Sequence, residues 1–407
     1  MKYFVLFLFI FLLNNSLQIF LYLINMSSIR RNNKIPEVFK DILREEDFKK
    51  SRLYTIDKMK LNAFETVIES CVMIFLIAFG FPIIERFVYK ILTNEVFQGI
   101  LFFFLVGAIY YLLGLSFRYY ATFVLERKYE FNKTNLKLFV SDQAKDILIA
   151  VVLGFVILFT FLNIIRISND WWIFVFLFAV FLVIFLEIIS PLLLSLFNKL
   201  KPIENIGLKV KIEEIAKRSG LSISNIFVID QSKRSLHTNA FFSGVGKSKR
   251  LILFDTLLKV HSEEEILAIF AHEVGHYIKR HVLKLIFINS LIFFVMIFSL
   301  FILVNSKVVN LAFGVSKFYS VALYATIFVG SIMSLLEFVY NSISRRFEYE
   351  ADRVAADITS KQIIINALKR LVKSNLSNLY PHPLFVFFKY THPTPLERIN
   401  VISKINV

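Results

Sequence analysis

The feature that most constrains this chain is a series of long apolar segments. About 20 mostly apolar residues are enough to cross the hydrocarbon of a bilayer. The chain is 57% hydrophobic, above the roughly 45–50% typical of soluble domains. Seven spans are predicted, at residues 4–25, 66–90, 98–118, 147–166, 172–197, 283–305 and 319–342. The sequence therefore predicts a mainly α-helical membrane protein with about seven transmembrane helices.

The first apolar segment has some features of a signal peptide. Lys2 precedes an apolar run, and a positive charge before an apolar core is typical of such peptides. No small-x-small cleavage site occurs before Arg30, and the apolar run resumes at residues 19–24 after three polar residues. An uncleaved span is therefore favoured.

Basic residues predict how the chain is oriented in the membrane. They concentrate in segments 27–62, 119–146, 198–282 and 343–407, whereas the alternate loops have few. Cytoplasmic loops carry the excess of Lys and Arg, so the long segment and the tail are predicted to be cytosolic. The same rule accounts for the net charge of +16 without a nucleic-acid partner, and none is expected.

Four regions are predicted along the chain. They are residues 1–197 with five transmembrane helices, 198–282 as a small α+β cytosolic domain, 283–342 with helices six and seven, and the cytosolic tail 343–407.

The 198–282 region shows both helical and β patterns. A helix is predicted over residues 203–220, and short strands over 225–230 and 250–254. Ser262 and Glu265 have the spacing of a capping box, which predicts a helix start there. Because only a glycine interrupts the pattern beyond that start, this helix is predicted to continue without a break into the sixth span.

The sequence His272-Glu273-Val274-Gly275-His276 lies on that helix. Residues at i and i+4 project from one face of a helix, which suits two imidazoles binding one zinc ion. The intervening Glu273 then serves as the general base of a metalloprotease. The pattern alone is weak, but its place on a capped helix and a suitable third ligand favour a metal site.

The identity of the third ligand depends on the spacing after His276. Metzincins require a glycine three residues later and a histidine three residues beyond it. Lys279 and Val282 occupy those positions, which excludes that class. His281 does not fit the spacing and is predicted to be solvated or interfacial.

A better candidate lies downstream, in the segment Ser344 to Arg353. Glu348 and Asp352 stand at i and i+4, so one can bind the metal while the other orients a ligand histidine. Glu350 points to another side of the helix and is predicted to be a surface charge. A solvated charge run is the plain alternative for this segment taken alone.

The candidate ligands sit close to predicted spans. His276 precedes the sixth span by a few residues, and Glu348 follows the seventh by a few. At a rise of 1.5 Å per residue, both lie within roughly 10–15 Å of the hydrocarbon edge. The site is thus predicted at the membrane surface, where it suits substrates tethered to the membrane.

Seven motifs follow one another along the chain: FKKSRLYTIDK (48–58), LERKYEFNKTNLKLFVSD (125–142), HTNAFFSG (237–244), KRLILFDTLL (249–258), HEVGH (272–276), SRRFEYEAD (344–352) and HPTPLERI (392–399). In this order they resemble the motifs of the type I CaaX prenyl endopeptidases, a family of seven-span zinc proteases. One departure is Thr394-Pro395, where the family often has consecutive prolines.

The resemblance implies an activity, a location and a set of roles. It implies removal of the last three residues after a prenylated cysteine, in the endoplasmic reticulum membrane, by a monomer in contact with membrane lipids. It also implies helices that enclose a large chamber and one Zn²⁺ per chain. The implied roles are zinc ligands for His272, His276 and Glu348, general base for Glu273, partner of a ligand for Asp352, oxyanion donor for His392, and substrate contacts for Asn239 and Arg398.

Two other functions are weighed against this interpretation. A membrane quality-control protease of the same zinc superfamily would share the metal motif but lack the upstream SRLY and EFNK segments. A channel or transporter with a vestigial metal site is a different class, and the intact ligand set argues against it. Site-2-type intramembrane proteases need an aspartate ligand in another span, which this sequence lacks.

Overall fold

A computed structural model describes residues 2–223, 225–244 and 249–405. Within these ranges, seven helical segments are long and apolar enough to cross a membrane. They are Lys2–Arg31, Glu45–Ile91, Glu95–Glu126, Leu136–Ile167, Trp171–Phe197, His281–Asn305 and Phe318–Leu335. The predicted fold class, a seven-span α-helical membrane protein with a small α+β domain, is confirmed.

The helices are numbered in chain order. The first eight are α1 (Lys2–Arg31), α2 (Glu45–Phe75), α3 (Phe81–Ile91), α4 (Glu95–Tyr120), α5 (Leu136–Ile167), α6 (Trp171–Phe197), α7 (Ile206–Arg218) and α8 (Asp255–Val260). The others are α9 (Glu263–Ile278), α10 (His281–Asn305), α11 (Val308–Phe313), α12 (Phe318–Leu335), α13 (Glu337–Ile358), α14 (Lys361–Ser374), α15 (Pro383–Lys389) and α16 (Pro395–Ser403).

Two of the long membrane segments contain π-helical turns. Residues Leu76–Gly80 join α2 to α3, and residues Ala121–Glu126 extend α4 toward the 198–282 region. A π turn adds a residue to a helical turn and is frequent at functional sites. The second of these turns brings Glu126 against Tyr54 of α2, whose hydroxyl donates to the carboxylate at 2.7 Å.

A four-stranded sheet forms the β part of the 198–282 region. Its strands are β1 (Leu200–Pro202), β2 (Asn225–Ile229), β3 (Ala240–Ser243) and β4 (Arg250–Phe254). The spatial order is β1-β2-β4-β3, with β2 and β4 parallel and the other pairs antiparallel. β3 therefore lies at the edge of the sheet, where its outer backbone groups are open to pair with an extended peptide.

The α9 helix begins as its sequence predicts but ends earlier. Ser262 Oγ accepts from the Glu265 N–H and the Glu265 carboxylate accepts from the Ser262 N–H, so the capping box is confirmed. The predicted unbroken continuation into the sixth span is wrong, because Arg280 adopts a left-handed conformation (φ 55°) between α9 and α10. The break lets α9 pack against α13 while α10 packs against α6 and α12 in the membrane.

A similar break separates the seventh span from the helix that carries the third candidate ligand. The predicted span 319–342 instead divides at Leu336, with α12 before it and α13 after it. The change of direction lets α13 leave the membrane bundle and cross α9. Glu337, at the start of α13, pairs with Lys389 at 3.1 Å.

The crossing of α9 and α13 depends on Gly275. A Cβ placed on Gly275 would lie 2.8 Å from both the Cα and the carbonyl oxygen of Ala351. Side-chain carbons essentially never approach backbone atoms that closely. Only glycine therefore permits this separation between the two helices, and the separation decides how far the α9 histidines lie from the α13 carboxylates.

Candidate metal centre

The structure brings three of the predicted ligands into one triangle. The Nε2 atoms of His272 and His276 lie 3.1 Å apart. Glu348 Oε2 is 3.3 Å from His272 Nε2, and Glu348 Oε1 is 3.4 Å from His276 Nε2. Two ligands thus come from α9 and one from α13.

This triangle fits a tetrahedral metal ion. Ligand atoms at about 2.0–2.1 Å from a tetrahedral zinc lie about 3.3–3.4 Å from one another. The two separations to Glu348 match that value, and the 3.1 Å between the two Nε2 atoms is slightly shorter. Glu348 Oε2 is buried without a hydrogen-bond partner among the described residues. A buried carboxylate oxygen without a partner is costly, so the donor set fits a cation better than it fits a protein hydrogen-bond network.

Asp352 and Arg398 fix the orientation of His272 through its Nδ1 atom, on the side of the ring away from the metal position. His272 Nδ1 donates to Asp352 Oδ1 at 2.9 Å, which leaves the Nε2 lone pair directed at the metal position. Arg398 in turn binds both Asp352 oxygens, at 2.8 and 2.6 Å. Burial would raise the pKa of Asp352, but the charge and hydrogen bonds of Arg398 hold that pKa well below its usual range. Asp352 thus lies where it can orient His272, and the role that the resemblance implies for it stays a prediction.

His281 and Glu350 support the other ligand histidine in the same way. His281 Nδ1 lies 3.0 Å from His276 Nδ1, and His281 Nε2 lies 3.1 Å from Glu350 Oε2. Its ring stacks on Phe347 with centroids 4.3 Å apart. A proton on His276 Nδ1 can therefore be donated to His281, whose own Nε2–H donates to Glu350.

The prediction of a solvated or interfacial His281 is wrong, because only 1% of the residue is exposed. Glu350 is half-exposed, but it also has a structural role as the partner of His281. This relay, the chain of contacts from His276 through His281 to Glu350, has no recognised sequence pattern that would have predicted it. Arg280 adopts a left-handed conformation that turns the chain and carries His281 back toward α13. Residues other than glycine rarely adopt this conformation, so the sequence did not predict the turn.

The pKa values of His272 and Glu348 are shifted in opposite directions. Burial would lower the pKa of His272, but the hydrogen bond to Asp352 and the nearby Glu348 carboxylate raise it to about 9. Burial would likewise raise the pKa of Glu348, but its close contacts with the two ligand histidines and the charge of Arg398 hold that pKa far below its usual range. At neutral pH a metal ion must therefore displace a proton from His272.

Glu273 is part of α9 and lies between the two ligand histidines in the sequence. Burial raises the pKa of its carboxyl, against the opposing effect of His272 and His276. A carboxylate with a raised pKa accepts a proton from water more readily than an ordinary one. The raised pKa suits a general base, the role that the resemblance implies for Glu273.

His392 reaches the same centre from the loop before α16. Its Nε2 is 3.3 Å from Glu348 Oε1, and its Nδ1 is 2.9 Å from the hydroxyl of Thr391. A hydroxyl that donates to Nδ1 leaves the ring proton on Nε2, directed toward the metal position. The His392 side chain is 62% exposed, and the partial desolvation of its ring against the site lowers its pKa.

The loop that carries His392 is fixed by a second capping box. Thr394 caps α16, and its backbone and side chain both bond to the Glu397 carboxylate at 2.8 and 2.9 Å. Pro395 begins the helix. The capping box and Pro395, both part of the sequence His-Pro-Thr-Pro-Leu-Glu-Arg, thus fix the start of α16 just after His392.

A cavity of about 640 Å³ opens beside the metal ligands. Asn239, His392 and Arg398 all line it. The Asn239 Oδ1 atom accepts from the Ala240 N–H at 2.8 Å, at the point where β3 begins. Arg398 is only 15% exposed and engaged with Asp352, so its proposed contact with substrate stays a prediction.

Two sequence models of known families match the chain. The model described as CAAX prenyl protease N-terminal, five membrane helices, matches residues 25–199, and that of peptidase family M48 matches residues 202–406. The chain belongs to the CAAX prenyl protease 1 family of M48 peptidases. It is therefore a membrane metallopeptidase rather than a channel or transporter, and the N-terminal match argues against a quality-control protease with fewer spans.

Individual relatives agree with this assignment over nearly the full chain. CAAX prenyl protease 1 of Saccharomyces cerevisiae is 34% identical, covering 92% of this chain and 89% of the relative. The CAAX prenyl protease 1 homolog of Homo sapiens is 29% identical, covering 91% and 88%. Among solved structures, Ste24p of S. mikatae superimposes with a TM-score of 0.93, at 29% identity and 99% coverage of both chains.

Proposed function

We propose that this M48 peptidase uses one zinc ion to remove the last three residues from prenylated CaaX proteins. The observation that carries the proposal is the His272, His276 and Glu348 triangle beside a cavity of about 640 Å³. A cavity of this size suits a short peptide segment. The names of the relatives, CAAX prenyl proteases, supply the substrate class.

The ligand set favours zinc over other metals. Two imidazoles and one carboxylate with an open fourth position are typical of catalytic zinc sites. When bound, zinc supplies a Lewis acid that polarises the scissile carbonyl and acidifies water. The remaining chemistry belongs to the side chains of this chain.

Glu273 takes the proton from the attacking water and later delivers it to the leaving amine. Its raised pKa suits both directions of transfer. His392 donates its Nε2–H to the oxygen of the scissile carbonyl as negative charge develops there. Asp352 and His281 keep the ligand imidazoles in the orientation that leaves each Nε2 free for the metal.

The substrate is bound as an added strand at the open edge of β3. Main-chain pairing to a sheet edge holds an extended peptide with little demand on side-chain identity, which suits the variable residues of a CaaX sequence. Asn239 stands at the start of β3, on the cavity wall. We assign to it a hydrogen bond to the peptide, and to Arg398 a contact from the same wall.

We further propose that the enzyme is a monomer in the endoplasmic reticulum membrane, with its active site and C-terminus facing the cytosol. The distribution of basic residues supports this orientation. Cysteines introduced at Lys404 and Lys317 should be labelled from opposite sides of the membrane. Lys247, a further labelling site suggested by the sequence, lies outside the described residues.

The decisive experiment is incubation of the purified enzyme with a farnesylated CaaX peptide, with and without a chelator. The expected products are the prenylated cysteine fragment and an intact tripeptide, formed only when zinc is present. Cleavage at another bond, or cleavage that is insensitive to complete zinc removal, would contradict the proposal.

A further inference from the structure

The cavity beside the metal centre is walled by three basic side chains, and their partners differ. Arg398 is bound to Asp352, and Lys389 is bound to Glu337 at 3.1 Å. The third is Lys58 of α2, which has no carboxylate within ion-pair distance among the described residues and lies 5.8 Å from the centre of the Tyr54 ring. Two cations are thus neutralised by the protein, and one is left facing the cavity.

Glu126 is close enough to Lys58 to interact with its charge, but both of its carboxylate oxygens contact other residues. Glu126 uses one carboxylate oxygen to accept from Tyr54 at 2.7 Å and the other to contact His237 Nε2 at 3.3 Å. The His237 ring is also stacked on Phe131 at 4.0 Å. Glu126 is therefore held by Tyr54 and His237, and Lys58 remains available to an anion that enters the cavity.

The direction of β3 shows which end of a substrate enters the cavity. β3 begins beside the cavity at Asn239 and ends at Ser243, whose hydroxyl lies 3.0 Å from that of Ser190 in the membrane helix α6. The prenyl group of a substrate needs the apolar, membrane side. A bound peptide therefore runs antiparallel to β3, with its prenylated cysteine toward Ser243 and its C-terminus toward His237.

The spacing suits a carboxylate at this end of the cavity. Three extended residues span about 10 Å at roughly 3.3 Å per residue. The wall between Asn239 and Lys58 passes through His237 and Tyr54, whose ring centres are 6.5 Å apart. We therefore place the three residues beyond the scissile bond along this wall, with the terminal carboxylate at Lys58.

We propose, on the basis of the function above, that Lys58 binds the free C-terminal carboxylate of the substrate and so selects a cut three residues from the end. A charge-assisted hydrogen bond to a single terminal anion requires the chain to end at a fixed distance from the metal. A longer chain would place a neutral peptide group beside Lys58. The enzyme therefore measures substrate length by charge, while the β3 edge binds backbone without regard to sequence.

The test compares two farnesylated peptides that differ only in a C-terminal carboxylate or a carboxamide. The wild-type enzyme should prefer the carboxylate by about tenfold to hundredfold in kcat/KM, the range of a charged hydrogen bond. Lys58→Gln should reduce kcat/KM for the carboxylate peptide, mainly through KM, to the value for the carboxamide peptide. Lys58→Glu should reverse the preference.

Lys389→Gln is the matched control, because Lys389 lines the same cavity but is neutralised by Glu337. That variant should retain the preference for carboxylate. The proposal is overturned if Lys58→Gln slows both peptides equally, if it keeps the wild-type preference, or if Lys389→Gln removes it. A wild-type enzyme that cleaves neither peptide would instead overturn the proposed function.

Discussion

Replacing Gly275 by alanine tests whether the helix crossing sets the metal geometry. The new Cβ would lie 2.8 Å from two backbone atoms of Ala351, against 3.4 Å for the start of ordinary contact. Because both are backbone atoms, no rotamer change relieves the overlap. The helices α9 and α13 must separate by about 0.6 Å, whereas metal-ligand distances tolerate only about 0.2 Å.

The cost follows from this geometry. Overpacking of this kind typically costs about 1–3 kcal/mol. A gain of up to about 1 kcal/mol in helix propensity stabilises α9 itself and does not relieve the overlap at the ligand triangle. His272 and His276 move with α9 while Glu348 stays with α13, so the strain acts across the ligand triangle. We expect zinc affinity to fall about fivefold to 100-fold, with peptidase activity falling in proportion at limiting zinc.

Zinc content after dialysis against graded chelator concentrations measures this effect, with thermal unfolding in detergent as a second readout. Gly330→Ala is the control, because Gly330 lies in the membrane helix α12 and a Cβ there meets no atom within 4 Å. The control should bind zinc like the wild type. Unchanged zinc affinity in Gly275→Ala would refute the idea that close approach of these helices sets the ligand spacing.

Four further predictions test individual side chains. Glu273→Gln should keep zinc but lose about 10²–10⁴-fold in kcat, because the amide cannot accept a proton; near-normal turnover would assign the base elsewhere. His281→Ala should weaken zinc binding about 10–100-fold through the loss of support for a ligand, and unchanged binding would show that the relay is dispensable. His392→Ala should lower kcat about 100-fold or more with normal zinc content, whereas loss of zinc or of folding would indicate a structural role. Lowering the pH should destabilise the protein through His261, which burial keeps neutral with a pKa lowered from 6.5 to about 4. The unfolded state gains a proton first, so stability is unaffected above pH 6.5 and falls by about 3 kcal/mol on reaching pH 4; His261→Gln should flatten this part of the curve of unfolding temperature against pH.

The local part of the metal centre was readable from the sequence. The i, i+4 spacing puts His272 and His276 on one helical face, and the Ser262–Glu265 capping box determines where that helix starts. The same spacing identified Glu348 and Asp352 as a pair. Helical periodicity is a local property of the chain, so short patterns suffice to place such side chains on one side of a helix.

The apolar spans were readable for a related reason. The bilayer demands continuous apolar helices of sufficient length, and this requirement shows in any window of the sequence. It does not show how each helix ends. The breaks at Arg280 and Leu336 occur without proline or glycine, because the direction of each helix is decided by what its two halves pack against.

Only the tertiary structure decided which distant residues meet. His281 is buried against α13, and Lys58 reaches the same cavity as His392 although more than 300 residues separate them along the chain. Neither contact leaves a periodic trace in the sequence, since each depends on the packing of several helices. The sequence by itself determined the approximate membrane spans and predicted the candidate metal-binding side chains. The packing determined their mutual distances, the relay behind His276 and the charged end of the cavity, because these arise where separate elements meet.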